Sequence, residues 1–463
     1  MKKDKIFILL PDGIGLRNFA YSDFYATGKE NFEVFFWNNT SFDLQSLGFN
    51  EIRISNAKSN PLTDIYKNAR KQIELDLSIK ATNDAVYDTY RFPFSYKNIK
   101  TAVKSIATQV IAKAYNSNKG LLRVRESIKK SERKTAFYQQ SLETLQKENP
   151  AMVFCTNQRP VLAIAPLLAA QDLGIPTATF IFSWDNLPKA TMVIETDYYF
   201  VWSEHMKAEL MQYYPYIAES QIFVTGTPQF EAHKEKTRLL DKDEFFRLYN
   251  LDANKRYICY SGDDVTTSPD DPQYLQDTAK AIRKLNTKGY PLGIIFRRCP
   301  VDFSGRYDAV LAEYKDVIVN LPPLWKKIGE GWNTILPTDE DITLQQNTIA
   351  HTEMVVNLGS SMVFDYVLHG KPCAFINYDV PNKKIANWSV AKIYNYIHFR
   401  SMPNKNAVVW LNNPEEIADK IEMILKDNEL VVSNAQKWLE VINVAGAGNA
   451  SENVWNGIKT ILK

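Results

Sequence analysis

Short apolar runs alternate along the first half of this chain with stretches whose apolar residues return every three or four positions. Runs at 5–10, 32–37, 51–54, 152–155, 177–182, 198–202 and 222–225 read as buried strands. Segments 17–25, 98–115, 133–147, 161–173 and 203–212 keep helical spacing. Strands separated by helices predict a parallel sheet covered on both faces, because parallel strands need a crossover and the crossover packs on the sheet. A polar, charged bridge at 231–254 precedes a second series of strands at 257–260, 292–296, 317–319, 354–356 and 373–376. The pattern predicts an α/β chain of two domains. The first spans 1–235 and takes back a closing helix at 450–463; the second spans 236–449. A ligand is expected in a cleft between them.

A length of 463 residues exceeds what one ordinary core holds, which agrees with two domains. With 45% hydrophobic and 23% charged residues the composition is that of a globular chain, and no run approaches the roughly 18 apolar residues of a membrane span. The basic start, Met1 to Lys5, is followed by an apolar run too short for a secretory leader. It reads as a first buried strand, and a cytoplasmic protein is expected. The four cysteines are scattered without metal-ligand spacing, so reduced thiols and no metal are expected.

Charge changes the picture. Net charge is +2, yet residues 91–134 hold twelve basic side chains against Glu126 and Glu132, a local balance of +10. Within this segment Ile99, Val103, Ile106 and Val110 share one helical face, while Lys97, Lys100 and Lys104 lie roughly opposite and Lys113 falls on the apolar side. The expectation is an amphipathic helix packed on its own domain with a solvated basic face, or else a peripheral contact with an anionic surface at the inner membrane face. No nucleic-acid module accompanies the charge.

The densest chemistry lies at 353–379. An apolar strand stops at Gly359-Ser360-Ser361, a helical pattern begins with Met362, and Gly370-Lys371-Pro372 leads into another strand. A strand, a small-residue turn and a helix start form an anion seat, because backbone N–H groups and the positive end of the helix dipole face the turn.

Several strings resemble the GT-B glycosyltransferases of the bacterial surface-polysaccharide type, related to CDP-glycerol glycerophosphotransferase-like enzymes. They are Ser183 to Leu187 (SWDNL), Val224 to Phe230 (VTGTPQF), Ile294 to Pro300 (IIFRRCP), Leu336 to Ile342 (LPTDEDI), Asn347-Thr348 and Gly359 to Asp365 (GSSMVFD). The resemblance covers about residues 150–380, and Cys299 stands where the pattern would have histidine. It implies two Rossmann-like domains facing across a cleft, with a C-terminal helix crossing back to the N-terminal domain. It implies a nucleotide-sugar as co-substrate, no cofactor, no metal, and transfer to a cell-surface glycan or lipid-linked acceptor. A CDP-polyol phosphotransferase, a sugar-nucleotide epimerase on the same fold and a non-catalytic scaffold are the alternatives.

The donor side implied by the resemblance is the second domain. Gly359, Ser360, Ser361 and Met362 would meet the diphosphate, and Asp365, one turn on, a ribose hydroxyl. Strand alternation turns only one of Arg297 and Arg298 toward a ligand, and Arg298 is the expected clamp. Thr338 and Asp341 precede a helix, where capping competes with contact to the base or ribose. On the acceptor side, inverting transfer needs a group to take the hydroxyl proton. Asp12, after the first strand, and Asp185 are the candidates, although Asp-Gly is also a common turn pair. Gly13 and Gly15 would let a ligand approach, Arg17 and Asn18 would contact it, and Trp184 with Asn186 would suit a sugar ring. The pairs Asp263-Asp264 and Asp270-Asp271 read as solvated loop residues.

Overall fold

The computed structural model describes residues 3–329, 334–444, 446 and 448–463. Met1 and Lys2 of the basic start lie outside these, as do Ala445 and Ala447 before the last helix. The chain divides into two compact units, one of Met1–Pro228 with Asn449–Lys463 and one of Gln229–Gly448.

Unit 1 is a seven-stranded parallel sheet of β1 (Lys5–Leu10), β2 (Glu33–Asn38), β3 (Glu51–Arg53), β4 (Met152–Cys155), β5 (Thr177–Phe180), β6 (Tyr198–Val201) and β7 (Ile222–Val224), in the order β3-β2-β1-β4-β5-β6-β7. Ile6 to Leu10 are fully buried, as the near-continuous apolar reading of a doubly covered strand requires. The terminal Ala450–Ile461 helix belongs to this unit. Trp455 stacks on Phe24 at 4.7 Å and on Phe32 at 5.3 Å, and its indole N–H donates to the Phe24 carbonyl.

Unit 2 repeats the plan. β8 (Arg256–Ser261), β9 (Leu292–Arg297), β10 (Ile318–Asn320), β13 (Val355–Asn357), β14 (Cys373–Ile376) and β15 (Val409–Leu411) form a parallel sheet in the order β10-β9-β8-β13-β14-β15. A small antiparallel pair, β11 (Lys326–Lys327) and β12 (Ile335–Leu336), stands apart. Counted within its own sheet, unit 2 has the order 3-2-1-4-5-6, and unit 1 has the same with one strand added. The chain is therefore α/β, with two Rossmann-like parallel sheets of GT-B type.

Two departures from the periodicity have physical causes. The helix expected at 17–25 is split into Leu16–Phe19 and Phe24–Asn31, because the Ser22 hydroxyl donates to the Asn18 carbonyl and accepts from the Phe24 amide. The helix Ile99–Ala114 does not pack by its apolar face: Ser105, Thr108 and Ala112 point inward, and Ile99, Val103, Ile106 and Val110 are exposed. Among the described residues no helix is long and apolar enough to cross a membrane.

Candidate functional sites at the two switch points

Each sheet has one point where successive connections leave in opposite directions, between β1 and β4 in unit 1 and between β8 and β13 in unit 2. Strand ends there flank a crevice, the usual ligand position of open α/β sheets. An aspartate follows the first strand in both units, and in both it is bonded across the switch point.

In unit 1 this is Asp12. Its Oδ1 accepts from the Ile14 amide at 3.2 Å and caps the single turn Gly13–Gly15; its Oδ2 accepts from Asn157 Nδ2 at 3.2 Å, beyond β4. Burial pushes the carboxyl above its ordinary range, and the Ile14 amide, Arg159 and Asn157 pull it back only partly. A base that must hold a proton near neutral pH needs such a shift. Gly15 serves the protein and not a ligand, since a Cβ there would lie 2.5 Å from Thr156 Oγ1. Gly13 is buried and Arg17 half-buried. Asn18 is only 1% exposed, and neither polar atom of its amide has a hydrogen-bond partner among the described residues.

Asp185 differs. Ser183 Oγ (2.6 Å) and Asn186 Nδ2 (2.9 Å) donate to its Oδ1, and the Lys189 ammonium pairs with its Oδ2. That pairing occupies the oxygen a base would use to accept a proton. Trp184 is 6% exposed, so the expected exposed sugar platform is instead a core residue. Asn186 is also buried, its Oδ1 accepting from Gln158 Nε2 at 3.0 Å. Gln158 thereby ties the loop after β4 to the loop after β5, and Arg70 ties the Thr63–Thr82 helix to the same place through the Ala190 carbonyl at 2.9 Å. Lys71 and Arg159, each next to one of these ties, have no ion-pair partner among the described residues. Burial, followed by Arg70, Lys189, Arg159 and Lys67, pushes the Lys71 ammonium down to about 8. The edge holding Asp12 is electropositive.

In unit 2 the equivalent aspartate is Asp263. Its carboxyl accepts from the Leu358 amide beyond β13, and its Oδ2 is buried without a hydrogen-bond partner among the described residues. Burial first, and then Asp271 and Asp264, push it well above the ordinary range. Asp271 is no solvated loop residue: it opens the Asp271–Thr287 helix, is fully buried, and accepts from Tyr307 Oη (2.7 Å), Ser268 Oγ (3.0 Å) and Tyr260 Oη (3.2 Å). Asp270 is buried too.

The glycine–serine corner follows β13. Gly359 has φ +69°, and a Cβ there would press on Phe399 at 3.0 Å, so the turn requires glycine. Fewer amides remain open than the sequence suggests. The Gly359 amide donates to Tyr394 Oη, the Ser360 amide to Asn357 Oδ1 at 2.9 Å and the Met362 amide to Ser360 Oγ at 3.4 Å. The Ser361 amide, the half-buried Ser361 hydroxyl and the proton of the half-buried Ser360 hydroxyl are left to meet an anion. Met362 is buried, with Gln345 Nε2 at 3.3 Å from its sulfur. The Met362–Val367 helix is only six residues long.

Asp365 is corrected. It is 2% exposed and lies 2.8 Å from His233 Nε2, while His233 Nδ1 is 3.0 Å from His369 Nε2. This buried acid faces a pair of histidines, where the expectation had a ribose hydroxyl. The Asp365/His369 spacing of one helical turn was a legible signal; His233, 132 residues from Asp365, left none. Of the two arginines ending β9, Arg297 is buried against Asp341 (2.7 Å). Arg298 is the reachable one: among the described residues it contacts only the Ser304 carbonyl at 3.3 Å and the face of Tyr307, and its Nε has no hydrogen-bond partner. Asp341 also accepts from the Leu324 amide and Trp325 Nε1, both at 2.8 Å, and Thr338 Oγ1 caps Asp339–Ala350 through the Asp341 amide. Both residues serve this loop-to-helix joint, the capping role that competed with contact to the base or ribose. Three of the four thiols are buried and Cys299 half-buried, and none forms a disulfide. Among the described residues no cluster of histidine, cysteine or carboxylate side chains could hold a metal.

No family model and no curated protein matches this chain. Solved structures match its fold over the full length. The UDP co-structure of Staphylococcus aureus MnaA is similar at 14% identity and TM-score 0.51, covering 100% of this chain and 97% of that one. UDP-GlcNAc 2-epimerase from Methanocaldococcus jannaschii is similar at 14% and 0.52, covering 99% and 100%. A glycosyltransferase from Rickettsia africae is similar at 11% and 0.53, covering all of both chains. At these identities the likeness shows the fold. None of the three is named for CDP-glycerol chemistry.

Proposed function

We propose that this chain acts on a nucleotide-linked sugar, its diphosphate engaged in unit 2 by Ser360, Ser361 and Arg298. The observation that carries this reading is the corner itself. The Ser361 hydroxyl and amide, without protein partners among the described residues, and the Ser360 hydroxyl, which accepts only from the Met362 amide at 3.4 Å and keeps its own proton to donate, sit at the switch point of a fold shared end to end with a protein named as a UDP-GlcNAc 2-epimerase and with one solved with UDP. Hydroxyl and amide donors held there stabilise the charge that grows on a departing diphosphate, and Arg298 adds a fork of N–H groups. Asp12 of unit 1 is the proton acceptor in this reading, and the cations Lys71 and Arg159 favour anionic groups beside it.

Within this class the M. jannaschii neighbour favours conversion of a UDP-sugar without an acceptor, with Asp12 taking a carbon-bound proton. Transfer to a glycan or lipid-linked acceptor is the second reading, with Asp12 taking a hydroxyl proton. It is favoured by the strings around Ser183 to Leu187 and Val224 to Phe230, and by the R. africae neighbour. One set of experiments separates them. UDP should raise the melting temperature, and NMR should show UDP-N-acetylglucosamine changing configuration in the presence of the protein alone. Consumption only when an acceptor is added favours transfer, and stabilisation by CDP over UDP favours the polyol-phosphate branch. If no nucleotide binds, the proposal fails. Asp12→Asn should keep nucleotide binding and lower turnover by about 10²-fold or more.

A further inference from the structure

The Ile99–Ala114 helix is built inside out. Its inward face carries Ser105, Thr108 and Ala112, whereas Ile99 is 85% exposed, Val103 59%, Ile106 55% and Val110 61%. At about 100° per residue these four fall within roughly 60° of one another, almost opposite the seated face. The seating is secure without them. Ser105 Oγ donates to the Ser95 carbonyl at 2.9 Å and accepts from the Ser95 amide, Ala112 packs with Ala69 and Ile73 of the Thr63–Thr82 helix, and Asn98 and Thr101 form a capping box. A globular chain gains nothing by turning four branched apolar side chains to water while hiding a serine and a threonine. Contiguous patches of this kind mark a surface that something covers.

The charge beside the stripe says what covers it. Among the described residues Lys97, Lys100 and Lys113, all exposed, have no carboxylate within ion-pair distance, and Lys104 reaches only Asp64 at 3.5 Å. On the helical wheel Lys100 and Lys113 border the stripe on opposite sides. From Arg91 to Arg125 the chain contains no acidic residue. Two copies meeting by this face would bring like charges together, whereas anionic headgroups would neutralise them. An apolar ridge bordered by lysines suits the boundary between headgroups and acyl chains.

We propose that the Ile99–Ala114 helix docks unit 1 on an anionic phospholipid surface, with Ile99, Val103, Ile106 and Val110 entering the interface and Lys97, Lys100 and Lys113 meeting the headgroups. This rests on unit 1 alone and is independent of the nucleotide-sugar reading.

Flotation of the full chain with vesicles tests it. Binding is expected to phosphatidylcholine vesicles containing phosphatidylglycerol, with little to phosphatidylcholine alone, and a release by salt that follows screening. Val103→Asp with Ile106→Asp should weaken binding about tenfold or more while the far-UV circular dichroism and melting temperature stay unchanged, since both side chains already face water. Replacing Lys97, Lys100 and Lys113 by Glu should abolish the preference for anionic lipid. No flotation at low salt overturns the proposal. So does a dimer, seen by light scattering, that the Val103→Asp/Ile106→Asp pair dissociates, because the stripe would then be an interface between copies.

Discussion

Glu209 carries a cost that depends on pH. It lies buried in the Glu204–Tyr213 helix, its Oε2 without a hydrogen-bond partner among the described residues and His205 Nε2 at 3.7 Å from Oε1. Burial, followed by Asp185, pushes its carboxyl up to about 8. The folded chain therefore keeps a proton that the unfolded chain releases above the ordinary carboxyl value of 4.5. Stability is fullest below that value and falls as pH rises toward about 8, because folding then has to take a proton up. Urea denaturation across this window should show the midpoint falling, and Glu209→Gln should flatten the slope and stabilise the protein at the alkaline end. Asp263, raised for the same first reason, acts in the same direction.

The helix Phe24–Asn31 is fitted to the terminal helix at one point. A Cβ on Gly28 would lie 2.1 Å from Trp455 Cζ2, and the indole cannot retreat while stacked on Phe24 and Phe32. Gly28→Ala should therefore destabilise unit 1 by about 1–3 kcal/mol, despite alanine's better helix propensity; differential scanning calorimetry reads the loss. Elements with plain periodicity were legible: β1, β4 and β14 run over the residues their apolar runs predict. The twenty-residue Thr63–Thr82 helix was not, because its inward face carries Arg70 and Glu74, which look like surface residues. Those charges are matched indoors, Arg70 to Glu74 at 2.6 Å, Arg125 to Glu74 at 2.5 Å and Arg125 to Glu195 at 3.2 Å. Arg70 and Glu74 pair within one helical turn, but Arg125 and Glu195 come from distant segments, and no local pattern announces those two. The same limit governed the sites. Asp12, Arg298 and the Gly359 turn follow from strand ends, but the occupation of the Gly359 amide, the burial of Trp184 and the His233–Asp365 pair depend on side chains brought from far along the chain.

Unit 1 is discontinuous in sequence: Asn449–Lys463 completes it after the whole of unit 2 has been threaded. Val454 and Ile458 are fully buried, Trp455 nearly so, and Asn453 Nδ2 donates to the Thr225 carbonyl at 3.1 Å. A chain ending at Gly448 should thus lose unit 1 cooperativity while unit 2 still melts as a unit; limited proteolysis should cut the truncated protein within its first 228 residues. Biosynthesis meets the same dependency. At bacterial or eukaryotic elongation rates roughly ten to forty seconds pass between emergence of the seven-stranded sheet and of the tryptophan that seals it. During that wait Phe24 and Phe32 lack the indole that later covers them, so the nascent first lobe keeps two aromatic faces open until residues 449–463 arrive to close them.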